Sequence, residues 1–210
     1  MPAITIVVGL SGVGAMYRLF LALLLAPALA GCATVSNTLS ADQVASFRLS
    51  GVNVGFTPDA KIAWGDGELA YAASKGVASH ESGSVANTPE GKAYLRNAVA
   101  AKLKPAMQQS LAGRLNGSRS VRVDVTVKEV FVSSVVQRVA IGGSHLIIGD
   151  VNLVDAKSGE VLAAKPGVIG IMGAGAGVLG VVVDGAFRDE PIDGVAKSFA
   201  YVYGTWLLRN

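Results

Sequence analysis

Val121, Val123, Val125 and Val127 alternate with Arg122, Asp124, Thr126 and Lys128. Successive side chains of a strand point to opposite faces, so this run makes one apolar face and one wet face. A sheet with one apolar face must bury it under a second layer, and the rest of the chain has to supply that cover. After Lys128 the phase slips and Val130 and Val132 take over, which predicts a bulge near Lys128-Glu129. The cover lies just upstream. Thr88 is a capping residue, Pro89 suits the first helical position, and Glu90 suits the positive end of the helix dipole. Leu95, Val99, Leu103, Met107, Leu111 and Leu115 then recur at four-residue spacing, with Lys92, Arg96, Lys102, Lys104, Gln108 and Arg114 off that stripe. The pattern predicts an amphipathic helix on the sheet, kinked at Pro105 and ended by Asn116-Gly117.

Weaker signals place the other elements. Phe47 and Leu49, then Val52, Val54 and Phe56, alternate with polar residues on either side of Gly51, predicting a strand with a bulge there. Pro58-Asp59 and Gly65-Asp66-Gly67 read as turns around a short extended piece from Lys61 to Trp64, and Gly76 to Asn87 reads as an exposed loop. A strand is expected from about Leu146 to Val154, a hairpin loop at Asp155–Glu160 and a return strand from Val161. Ile192, Val195, Phe199, Val202, Tyr203 and Trp206 predict a final amphipathic helix after Pro191. The fold class expected is α+β: an antiparallel or mixed β-sheet packed by two amphipathic helices, in the order strand, helix, strand, hairpin, helix.

The chemistry of catalysis is sparse. His80 and His145 stand in unrelated contexts, and His80-Glu81 lacks the further ligands a metal site needs. No serine lies in a Gly-x-Ser-x-Gly elbow. Asp66 and Glu68, and the group Asp184, Asp189, Glu190 and Asp193, fit turn and cap duties. The expectation is a protein that is not an enzyme, with no cofactor and no metal. The formal charge of +3 is small and its lysines and arginines are scattered, so nucleic acid is not an expected partner.

Two glycine-rich stretches imitate nucleotide sites. Ile4 to Gly14 reads as a strand and a glycine turn, but Ala15-Met16-Tyr17 follow where a phosphate loop needs Lys and then Ser or Thr. Gly175-Ala176-Gly177-Val178-Leu179-Gly180 matches the dinucleotide fingerprint, with Val168 to Met172 as the strand before it. That fold also needs a helix, a second parallel strand and an acidic residue at its end, whereas Asp193 opens a helix. No nucleotide partner is expected. The whole of Pro166 to Val183 carries no charge. Two readings of it stay open: a strand and loop where glycine permits close backbone packing, or a surface that contacts a membrane or a second copy of the chain. Gly173, Gly175, Gly177 and Gly180 are the candidate residues of the second reading, Gly173 and Gly177 being spaced as in close helix pairs.

The N-terminal region carries the most specific pattern. Met16-Tyr17-Arg18 is followed by the apolar run Leu19 to Ala28 and then by Leu29-Ala30-Gly31-Cys32, which contains the one cysteine of the chain. A basic start, an apolar run and small residues at a cleavage point make a signal peptide. The order resembles a bacterial lipoprotein signal peptide, with Leu29-Ala30-Gly31-Cys32 as its lipobox. The resemblance implies that Cys32 carries a diacylglyceryl thioether, that cleavage precedes it, and that the new N-terminus is acylated, by palmitate or a similar chain. Ala33, rather than Asp, after Cys32 implies the outer membrane, with the domain in the periplasm. The expected organisation is a signal peptide over 1–31, its true start at Met16 an open alternative, a flexible tether over 32–45, and one domain over 46–210. A mature chain of about 180 residues suits one domain, and an acylated cysteine leaves no intramolecular disulfide. The element order also resembles the small α/β domains of envelope lipoproteins such as the curli-secretion lipoprotein and the N-terminal domain of the Tol-system propeller protein. That likeness transfers no residue beyond Cys32. It implies a structural, assembly or partner-binding role, through envelope proteins or self-association. The alternative is a small-molecule or lipid-binding module.

Overall fold

Four strands form one mixed sheet in chain order: β1 (Phe47–Trp64), β2 (Arg119–Val132), β3 (Gly143–Asp155) and β4 (Val161–Ala174). The computed structural model describes residues 37–134, 143–174 and 190–208. β1 runs parallel to β2, and the β2–β3 and β3–β4 pairs are antiparallel. Helix α1 (Ala41–Ser46) precedes β1, and α2 (Gly65–Ser74), α3 (Ser82–Ala86) and α4 (Pro89–Leu111) form the crossover that joins the parallel pair. A final helix, α5 (Pro191–Leu208), completes the described residues. The fold is thus α+β with a mixed sheet.

α4 and α5 cover the same face. Val121, Val123, Val125, Val127, Val130 and Val132 of β2 are buried beneath them. The predicted stripe of α4, Leu95 to Leu111, faces that row with Leu115 just beyond the helix, and every member is buried. Fully buried Ile192, Val195, Phe199 and Tyr203 line the inner side of α5, whereas Val202 turns out to solvent. Lys102 ties the two helices by ion pairs to Glu190 and Asp193 at 2.9 and 3.0 Å. The bulge of β2 falls between Val127 and Glu129, and that of β1 between Leu49 and Gly51.

Several local expectations change. Thr88 caps α4 through the Gly91 amide and Pro89 opens it; the helix contains Pro105 and stops at Leu111, ahead of the predicted end at Asn116-Gly117. Gly113, at φ +74, turns the chain before Asn116-Gly117, a conformation that costs glycine little. Gly117 instead donates its amide to Phe47 O at 2.7 Å, which seats the chain at the start of β1. Pro58-Asp59 is no turn: β1 is continuous, with a register shift between Phe56 and Lys61. Gly65-Asp66-Gly67 opens α2 rather than a loop, with Asp66 and Glu68 in its first turn and the Trp64 ring lying against Gly67. The stretch from Gly76 to Asn87 holds a 3₁₀ turn (Ser79–Glu81) and α3.

The tether predicted over 32–45 gives way to packed structure at Asn37. Asn37 and Leu39 are buried. The Asn37 amide donates to Trp206 O at 3.2 Å and Leu207 O at 2.9 Å. These carbonyls end α5 and have no partner within the helix. Ser40 and Gln43 then form a reciprocal capping box that starts α1.

The hairpin stands as predicted, with Gly159 at φ +77. Asp155 accepts the amides of Lys157 and Ser158 at 2.9 and 3.0 Å and receives Arg119 Nε at 2.8 Å. The Ser158 amide, then Arg119, then the Lys157 amide hold its carboxyl well below the usual carboxylate range. A carboxyl whose folded value lies below its unfolded value stabilises the fold above the unfolded value, and the contribution fades as pH falls toward the folded one. Asp155→Asn therefore lowers Tm at neutral pH, and the gap from the parent narrows once pH drops below about 4. Thermal melts between neutral pH and about pH 3 check it.

Candidate functional site

β4 brings part of the uncharged stretch into view. Pro166 to Ala174 is the second half of this strand, antiparallel to β3. Val168 to Met172 is therefore an edge strand in an antiparallel pair and does not open a parallel nucleotide-binding unit. Gly170 lies under α5, where a Cβ would overlap the Phe199 backbone. Here glycine permits close packing. Gly173 meets nothing within 4 Å of a Cβ position. Gly175, Gly177 and Gly180 lie outside the described residues, as does Cys32.

Because Gly170 faces α5, Ile169 and Ile171 point to the helix-free face, where they are 44% and 59% exposed. Register places Ile169 beside Ile148 and Ile171 beside Leu146, which pairs with Phe131 of β2. These five side chains form one apolar patch at the end of the sheet where β2 and β4 finish. The remainder of that face is polar. Arg122 grips Asp124 with two bonds of 2.7 and 2.8 Å, Asn53 adds a third at 3.1 Å, and Lys128 pairs with Asp150 at 2.7 Å. The Arg122 guanidinium holds the Asp124 carboxyl below its ordinary value. The face is thus split into a charged lower part and an apolar upper part, a division that the alternation along single strands did not reveal.

The other predicted chemical groups are dispersed. His80 sits exposed in the 3₁₀ turn, and His145 is buried on β3, its Nδ1 accepting the Ser133 amide at 3.2 Å. Glu190 and Asp193 are spent on Lys102. Asp184 and Asp189 lie outside the described residues. Among the described residues no three His, Cys, Asp or Glu side chains converge as metal ligands. No helix of the described residues is long and apolar enough to cross a membrane.

No family model and no curated protein matches the chain. Among solved structures it is similar to a candidate lipoprotein from Caulobacter crescentus CB15, at 16% identity and a TM-score of 0.32, over 53% of this chain and 81% of that one. It is also similar to the lipoprotein GNA1162 from Neisseria meningitidis, at 15% identity and a TM-score of 0.22, over 65% and 96% of the two chains. Likeness at this level decides neither fold nor role.

The two glycines of β4 make a paired test. Gly170→Ala forces a methyl into the Phe199 backbone and is expected to cost about 1–3 kcal/mol. Gly173→Ala projects into open space and should stay within about 0.5 kcal/mol of the parent. Chemical denaturation of both variants gives the comparison.

Proposed function

We propose that the chain is a bacterial lipoprotein, anchored through acylated Cys32 to the outer membrane and facing the periplasm, with a non-catalytic role in binding or assembling envelope partners. The observation that carries this reading is the lipobox Leu29-Ala30-Gly31-Cys32 followed so closely by packed structure at Asn37. Residues 33–36 leave a reach of about 18 Å between Cys32 and Asn37. A lipid on Cys32 would therefore hold the domain close to the bilayer by the end where α5 finishes. Two or more acyl chains give stable attachment, where one gives marginal binding. Cys32→Ser should leave the precursor uncleaved and without lipid. The parent extracted from membranes should show, by intact mass, a chain beginning at Cys32 with a lipid increment, and should travel with outer-membrane markers on a sucrose gradient. A mature mass lacking that increment would sink the reading, and migration with inner-membrane markers would sink its sorting.

A second reading concerns how the domain meets a partner. The patch of Phe131, Leu146, Ile148, Ile169 and Ile171 sits at the opposite end of the sheet from Asn37. It leads in sequence into the uncharged residues 175–183. Exposed contiguous apolar surface of this kind marks association, here with a second copy of the chain. Ile171→Asp should leave stability within about 0.5 kcal/mol of the parent and reduce self-association measured by light scattering. Unchanged assembly would remove this patch from the account.

A further inference from the structure

We propose that the groove between β1 and the N-terminal half of α4 binds a fatty carboxylate, its head on Lys92 and Arg96 and its chain over Val54 and Phe56. Val54, Phe56 and Ile62 sit half-buried on the face of β1 that the helices cover. α4 forms the facing wall. Between them lie two joined hollows of about 420 and 570 Å³ that share Asn87, Lys92 and Arg96. Small-molecule sites have volumes of about 300–1,000 Å³, so either hollow is large enough for such a ligand.

The larger hollow supplies both halves of an amphipathic site. Lys92 and Arg96 stand one helical turn apart on α4, and among the described residues no carboxylate lines this hollow. Neither cation forms an ion pair among the described residues, not even with Glu68 of the smaller hollow. Like charges at this spacing repel, and a bound anion relieves them. Arg96 is held in position. Its guanidinium lies over the Phe56 ring at 5.8 Å, and its Nη2 donates to the carbonyls of Thr57 at 3.4 Å and Pro58 at 3.1 Å. Both partners are neutral, and Nε and Nη1 remain as donors for a carboxylate. Those bonds occupy the edge of β1 at Thr57 and Pro58, and residues 115–117 occupy it at Phe47 and Leu49. Beyond the cations the hollow is lined by Val54, Phe56, Ala93 and Ala100, with exposed Asn97 the exception. An alkyl chain needs no hydrogen bonds from such a lining, whereas a polar ligand body would lose its own to water. This inference does not depend on the lipid anchor.

The test uses the full chain in digitonin, a detergent without a straight alkyl chain. The probe is dodecanoate carrying a photoreactive diazirine near its methyl end. Saturable labelling within β1 or the N-terminal half of α4, located by peptide mass spectrometry, is expected, and excess plain dodecanoate should suppress it. Dodecyltrimethylammonium, the same chain with the opposite charge, should compete at least about tenfold more weakly. Lys92→Glu changes an exposed side chain and should weaken the labelling by a similar factor with an unchanged melt. Ala93→Trp, which fills the groove from the helix side, should do the same. No saturable labelling, labelling elsewhere in the chain, equal competition by the ammonium compound, or undiminished labelling of Lys92→Glu would overturn the proposal. So would binding of an acetylated apolar peptide with a free C-terminal carboxylate where dodecanoate gives no labelling, since that assigns the groove to a protein tail.

Discussion

The contact between the valine row of β2 and the helix pair α4–α5 is the interaction on which the rest of this structure depends. Every inward side chain of the row is buried, and so is every member of the α4 stripe. Burying one such side chain contributes about 1.5–3 kcal/mol relative to leaving it exposed, and no disulfide is available to share the task. β2 pairs with β1 and β3, so a change in its register would turn its valines to solvent and misplace both neighbours. The bulge at Lys128 is what lets one strand keep apolar residues inward on both sides of a phase slip.

That contact was legible because it repeats. Alternation in β2, four-residue spacing in α4, Thr88-Pro89 at its start and the Asp155–Glu160 turn are all local patterns, and the structure carries each of them. What was not legible depends on partners distant in sequence. Asn37 looks like any polar tether residue until it meets the last carbonyls of α5, some 170 positions away. Gly65-Asp66-Gly67 has the composition of a turn, yet it opens a helix where the Trp64 ring settles on Gly67. Proline at position 58 suggested a break, but an edge strand tolerates proline because the missing amide would have faced away from the sheet. The apolar patch was hidden for a related reason. Phe131, Leu146, Ile148, Ile169 and Ile171 come from three strands, and only their register makes them one surface.

The two sheet edges are handled by helix side chains, and differently. At β4, Ser198 of α5 accepts the Ile171 amide at 3.1 Å and donates to the Ile171 carbonyl at 2.9 Å, which satisfies the edge at that point. At β1, residues 115–117 bond the start of the edge at Phe47 and Leu49, and Arg96 takes two carbonyls beside the register shift. An open edge is a liability unless it is blunted or used. The apolar patch lies on the helix-free face of β2, β3 and β4, apart from both of these edge contacts.

Residues 37–46 belong to the folded domain, because Asn37 is held on the last carbonyls of α5. Hydrogen–deuterium exchange on the full chain measures that directly. The account predicts slow exchange in the amides of β2 and clear protection already at Leu39 and through α1. Protection that begins only at Phe47, with residues 37–46 exchanging as fast as a free peptide, would contradict it.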